Sequence, residues 1–296
     1  MVGDLYMSIW YVKTEKNYSK IRNLLNIIEI EIKDGKVFCN LPIDKNTKYK
    51  KTVKIARKLN RELYKHNIEE VVLSDELQDL EVLKNELYYE NIHILNGKIL
   101  QEYLTTEIIK YICNNQGKAL SEEQISILAN DSTDLNVENI IDIAKDVKRL
   151  NIVTKNIDKF KKIEEYLYNE YGIMIRVSNN QKKDLLNSDI ILNMDFPKEI
   201  LKKYTIPNRC VFVDLNDEIS INQKKFCGII VSNYQINMPD DCKIADFKNE
   251  TVYESYIYNK PIDEVKSQIK KDNITIKHLV GKNGIIDNRE ISKTTK

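Results

Sequence analysis

Residues Ile125–Asn156, ISILANDSTDLNVENIIDIAKDVKRLNIVTKN, decide how this chain is read. An apolar run (Ile125–Ala129) leads through a polar loop (Asn130–Asn136) to a helical pattern at Val137–Lys148 and a second apolar run, Leu150–Thr154. Strand, loop, helix and strand in that order make a crossover unit with parallel strands. When such a unit holds a diphosphate, its first loop is rich in glycine. Glycine allows the tight turn and lets backbone N–H groups approach the anion at the helix N-terminus. The loop Asn130–Asn136 contains no glycine, and two of its side chains, Asp131 and Asp134, are acidic. A carboxylate about 4 Å from a bound phosphate would repel it by roughly 1–4 kcal/mol, depending on the local dielectric. Conventional dinucleotide binding is therefore disfavoured on both steric and electrostatic grounds.

The strand–helix rhythm continues beyond this unit. Further strands are expected at IMIRVS, DIILNMD and RCVFVDL, and a sixth at GIIVSN. Helices are expected at Ile157–Tyr171, Gln181–Asn187 and Pro197–Tyr204, and beyond the sheet at Pro261–Lys271. Gly172 suits a helix stop and Pro197 a first turn. Past Asp217 the pattern loosens, with ITIKHLV as a late strand candidate.

Upstream, MSIWYV reads as a strand, and IIEIEIKDGKVFCNL as a hairpin turning at Asp34-Gly35. Lys48–His66 has helical spacing, followed by a strand (EEVVLSD), a helix (Glu76–Glu90) and a strand (NIHIL). A long helical pattern, Ile99–Cys113, ends before Gly117 and reads as a connector. The expected division is an N-terminal α/β domain with its connector helix (1–118) and a Rossmann-like domain with a C-terminal extension (119–296). One continuous sheet is the alternative. The fold class is α/β throughout, with a mostly parallel sheet flanked by helices in the second half.

Composition excludes several classes. The 296 residues carry 46 Lys and Arg against 45 Asp and Glu, a net charge of +1, which gives no basic field for nucleic acid. No apolar run reaches the roughly 18 residues of a membrane span, and no signal sequence opens the chain, so a cytoplasmic protein is expected. The five cysteines lack CxxC spacing and read as reduced, mostly buried thiols. The three histidines, His66, His93 and His278, lie far apart and read as structural, so no metal site is expected. No GxSxG, HExxH or Walker motif is present.

In an open parallel sheet, ligands sit beyond the carboxyl ends of the strands. The candidate contacts there are Asn130, Asp131, Ser132, Thr133, Thr154, Lys155, Asn193, Asp195 and Asp214. Each can equally cap the helix that follows it.

These residues carry a family resemblance over about residues 123–233. VTKNIDKFKKIEEYL resembles the second strand and helix of the nucleotide-binding domain of the shikimate dehydrogenase and glutamyl-tRNA reductase type. Thr154, Lys155, Asn156 and Lys159 fall in its Asn-Arg-Thr…Lys places. SDIILNMDF is similar to that family's Asp-x-x-Ile-Asn-Ala-Thr, matched by Asp189 and Asn193 but with Met194 and Asp195 in place of Ala and Thr. CVFVDLND resembles the next strand, which ends in an aspartate at Asp214. The resemblance implies NADP or NAD, with Thr154 and Lys155 toward a ribose or 2′-phosphate, and an NAD(P)-dependent oxidoreductase if the protein is an enzyme. It also implies an N-terminal substrate domain, whose Val-Thr-x-Pro-x-Lys stretch is missing here. Cys39, the one early cysteine, reads as a core residue rather than a nucleophile. The expectation is therefore a small-ligand-sensing or protein-interaction module without standard dinucleotide binding, with no cofactor. Its partner would be a small molecule, another protein or a second copy of itself. The alternative is a dehydrogenase with an atypical phosphate loop, and a purely structural subunit is a third class.

Overall fold

A computed structural model describes residues 9–15, 25–216, 221 and 226–294. The chain forms two compact units, Met1–Gly97 with Met238–Lys260, and Lys98–Asn237 with Pro261–Lys296.

The first unit is built on a five-stranded sheet in the order β2-β3-β1-β4-β5. Its strands are β1 (Ile9–Thr14), β2 (Glu29–Lys33), β3 (Lys36–Leu41), β4 (Glu70–Leu73) and β5 (His93–Leu95). β3, β1, β4 and β5 run parallel, and β2 pairs antiparallel with β3. The hairpin turns at Asp34 and Gly35, both at positive φ (49° and 72°), as the Asp-Gly pair demands. The helix Tyr49–Lys65 buries Ile55, Ala56, Leu59 and Leu63 in one core with Trp10, Val12, Val37 and Cys39 of the sheet. On β1 the alternate residue Tyr11 points to the opposite face, where segment 238–260 supplies the cover. Phe247 packs edge-on to Tyr11 (5.5 Å between ring centres), and the Tyr11 hydroxyl lies 2.6 Å from Ser255 Oγ on the helix Asn249–Ile257. Glu254 of that helix is buried and accepts a bond from the Gly97 N–H (2.6 Å). No local signal in the sequence announces this return, because what fixes it is the face left bare by residues two hundred positions earlier.

The second unit contains a six-stranded, all-parallel sheet in the order β11-β10-β9-β6-β7-β8. The strands are β6 (Gln124–Leu128), β7 (Arg149–Val153), β8 (Arg176–Ser178), β9 (Ile190–Asn193), β10 (Val211–Asp214) and β11 (Ile229–Val231). Counted from β6, this is 3-2-1-4-5-6, the order of dinucleotide-binding folds, with its topological switch point between β6 and β9. One face buries Leu128, Val153, Ile191 and Phe212 against Leu185, Phe196, Leu201 and Tyr204. The helix Asp134–Asp146 packs against Lys98–Tyr103 and Thr105–Gln116, and Asn139 Nδ2 donates to the Glu102 carbonyl (2.9 Å). A three-stranded antiparallel sheet follows, β12 (Asn233–Asn237), β13 (Thr275–Gly281) and β14 (Gly284–Ile285).

Several elements differ from expectation. The long helix at Ile99–Cys113 is two helices, Lys98–Tyr103 and Thr105–Gln116, the second ending at Gly117 in the left-handed region (φ 69°). Both belong to the second unit, because Ile108, Ile109, Ile112 and Cys113 are buried and their helix packs on β13. The helix expected at Glu76–Glu90 is broken into Asp75–Gln78 and Glu81–Tyr89. Gln181–Asn187 is a run of turns instead of a helix. Side chains of the sheet take over the bonds that a helix would use. Asn151 Nδ2 (2.8 Å) and Ser126 Oγ (3.5 Å) both bond the Asp184 carbonyl, and the buried Asp184 carboxylate accepts from Arg176 (2.9 Å) and from the Asn180 N–H.

Candidate functional site

The carboxyl ends of β6 and β9 define the candidate site. After Leu128 the chain leaves the sheet through Ala129 and Asn130, and the helix Asp134–Asp146 starts behind its N-cap Thr133, whose Oγ1 accepts from the Asn136 N–H (3.3 Å). In a diphosphate-binding loop the N–H groups before such a helix point at the anion. Here they point at Asp195. The Asn130 N–H lies 2.7 and 2.8 Å from the two carboxylate oxygens, and the Asp131 N–H lies 2.6 Å from Oδ2. The two donors share one anion supplied by the loop after β9.

The neighbouring β7 end closes the same loop. Asn130 Oδ1 accepts from the Lys155 N–H (3.1 Å), and the Asn130 carbonyl accepts from Asn156 Nδ2 (2.8 Å). Thr154 is fully buried, and its Oγ1 accepts from the Asn156 N–H (3.0 Å). The Lys155 side chain is exposed. Burial raises the Asp195 carboxyl above the ordinary carboxylate range. The two N–H donors pull it back in part, and the Asp131 carboxylate adds to the rise.

The structure thus gathers Asn130, Asp131, Lys155 and Asp195, and adds Asn156, which the list of candidate contacts omitted. Thr133 caps its helix, and Ser132 is half-exposed in the loop. Asn193 and Asp214 make a separate internal pair. Asn193 Nδ2 donates to Asp214 Oδ1 (2.8 Å) and to the Phe196 carbonyl (3.0 Å), while its Oδ1 accepts from the Phe196 N–H (2.9 Å). Both residues are buried and committed to the bend that carries Asp195 into place. Asp195 is therefore held from behind as well as in front. The sequence carries a signal for this in the run Asn193-Met194-Asp195, which sets a carboxylate two residues beyond the buried end of β9.

Other chemistry-bearing residues lie elsewhere. Cys39 is fully buried, and burial pushes its thiol far up, with Glu62 adding to the effect; Cys113 is pushed up to about 12 for the same first reason. His66 packs on Trp10 (5.1 Å) and His93 stacks on Tyr258 (5.8 Å). Among the described residues no group of three or more His, Cys, Asp or Glu could hold a metal ion, and no helix is long and apolar enough to cross a membrane. A cleft of about 450 Å³ lies beside β11, lined by Gly228, Ile230, Gly281, Lys282 and Ile286, and these are not the strand ends of the switch point.

Fold and site together define an α/β protein whose second unit has a Rossmann-like parallel sheet and an internally occupied anion position. No family model matches the chain, and no curated protein matches it. Among solved structures it is similar to L-tryptophan dehydrogenase from Nostoc punctiforme, with 9% identity over 90% of this chain and 87% of that one and a TM-score of 0.35. It is also similar to 5-ketofructose reductase of Gluconobacter sp. strain CHM43, with 9% identity, 98% of both chains and a TM-score of 0.32. Ornithine carbamoyltransferase from Pyrococcus furiosus gives 12% identity, 88% and 83% coverage and a TM-score of 0.29. Likenesses at this level carry no functional argument.

Proposed function

We propose that the protein is a ligand-sensing or protein-interaction module built on a Rossmann-like domain, and that it does not bind dinucleotides in the standard way. One observation carries the reading: the Asp195 carboxylate sits on the N–H groups of Asn130 and Asp131 at the switch point. A phosphate placed there would displace a tethered anion and meet the Asp131 and Asp134 side chains besides. NAD or NADP at millimolar concentration is expected to leave the melting temperature unchanged. Ligand at a hundred times its Kd would add about 2.7 kcal/mol of stability, a plain shift in a melt, and such a shift would overturn the proposal.

The strand order 3-2-1-4-5-6 favours the second reading, an NAD(P)-dependent dehydrogenase whose loop rearranges to admit the cofactor. On that reading the exposed Lys155 contacts a 2′-phosphate, and Lys155→Ala weakens NADP more than NAD. Equal loss would remove Lys155 from the site.

A further inference from the structure

The outer edge of β2 terminates the first unit's sheet, and among the described residues no strand pairs with it. Exposed edges are commonly blunted by a proline, a bulge or a charged side chain in mid-strand that spoils pairing. β2, Glu-Ile-Glu-Ile-Lys, has no proline and stays in unbroken register with β3, and its one mid-strand charge, Glu31, is already paired with Lys13 of its own chain (3.3 Å). Its isoleucines are open to solvent. Ile30 is 40% and Ile32 76% exposed, although Cys39 and Val37 opposite them on β3 are buried.

We propose that β2 pairs antiparallel with β2 of a second copy of this chain, about a two-fold axis passing through Glu31. A two-fold interface must be self-complementary, and in this register four of the five residues of the strand meet a complementary partner. Glu29 faces Lys33 of the second copy twice, and Ile30 faces Ile32 twice. At the centre Glu31 meets its own equivalent, and each of those carboxylates is 3.3 Å from the Lys13 ammonium of its own chain, which offsets the like charges. Moving the axis by one residue weakens the match. An axis through Ile30 sets Glu29 against Glu31 twice. One through Ile32 keeps Glu31 opposite Lys33 but sets Ile30 against Asp34 and Glu29 against Gly35 in the turn, so the axis through Glu31 is the one that pairs the whole strand. The partner is thus another copy of the same chain, and the two sheets join into one. This proposal is independent of what the second unit binds.

The test is sedimentation equilibrium on the full chain, on Glu29→Lys, on Lys33→Glu, and on an equimolar mixture of the two. The parent is expected to dimerise reversibly. Each single variant replaces two opposite-charge pairs by two like-charge pairs and weakens the dimer about tenfold. The mixture restores it, because the new lysine of one variant meets the new glutamate of the other. The double variant Glu29→Lys/Lys33→Glu restores it within one chain and controls for misfolding of either single variant. A parent that stays monomeric at every concentration overturns the proposal. So does a dimer indifferent to both substitutions, or a mixture that associates no better than its components.

Discussion

Replacing Asp195 by alanine separates a carboxylate that is structural from one that merely lies nearby. Two backbone donors are at stake, making three contacts of 2.6–2.8 Å. A hydrogen bond to a charged group contributes about 1.5–3 kcal/mol net, so the pair sets a ceiling of about 3–6 kcal/mol. Two effects lower it. Burial raises the Asp195 carboxyl, so part of the gain is spent on desolvation, and water reaches the exposed Asp131 once the carboxylate is gone. The expected loss in urea unfolding at neutral pH is about 1–3 kcal/mol. A gain should accompany it. Freed N–H groups at a helix start take an anion, so millimolar pyrophosphate should raise the melting temperature of Asp195→Ala and leave that of the parent unchanged. Parent-like stability with no response to pyrophosphate would refute the assignment of Asp195 as the occupant, and so would a parent that responds as strongly as the variant.

The pH dependence of the same residue has a defined sign. A carboxyl whose folded value is raised holds its proton more tightly in the folded state than in the unfolded one. Between the ordinary value of about 4 and the raised one, the unfolded state binds fewer protons and stability falls as pH rises. Below that window both states are protonated and the effect is absent. In Asp195→Asn this component disappears, so the parent's advantage over the variant should shrink with rising pH across that window. A parent advantage that instead grows with pH would mean that the N–H donors outweigh burial.

Two further substitutions test the supports of the second unit. Lys118→Met should cost about 3–5 kcal/mol in urea unfolding, because it strands the fully buried Glu123 carboxylate, now 2.9 Å from the Lys118 ammonium; a loss below about 1 kcal/mol would show the pair to be solvated. Gly228→Ala would bring a Cβ to 2.1 Å from the Cys210 carbonyl and 2.6 Å from the Phe226 ring, so β11 must move away from β10, at a cost of roughly 1–3 kcal/mol or more in the same assay.

The parts of the fold that could be read in the sequence are those set by local pattern. The hairpin was marked by Asp34-Gly35, and the helix Ile157–Tyr171 by its apolar spacing and by Gly172, which lies in the left-handed region at φ 66°. The parallel strands of the second unit were marked by short apolar runs with polar ends. Local pattern misleads where distant side chains decide the backbone bonds. Gln181–Asn187 has helix-like spacing, yet Ser126 and Asn151 claim the Asp184 carbonyl. Segment 238–260 shows no strong period of its own, because its helix Asn249–Ile257 is buried on several sides, including Glu250, Thr251 and Glu254.

The site divides along the same line. From its composition the first loop is expected to suit a diphosphate poorly, both for want of glycine and through repulsion by Asp131 and Asp134. In the structure neither of those side chains fills the position; Asp195 does, from 64 and 65 residues away in sequence. The distinction has a chemical consequence. Repulsive side chains at a rim leave the N–H groups free and are screened by salt. A carboxylate bonded to those groups supplies the compensating negative charge itself, and the loop then needs no ligand to be satisfied. Glycine would no longer be required there, since no external phosphate has to approach the backbone. On the proposed reading the absence of glycine from the loop and the aspartate at position 195 belong together. Asn130→Gly alone would therefore not confer phosphate affinity while Asp195 remains, whereas removing Asp195 alone would open the position to an anion.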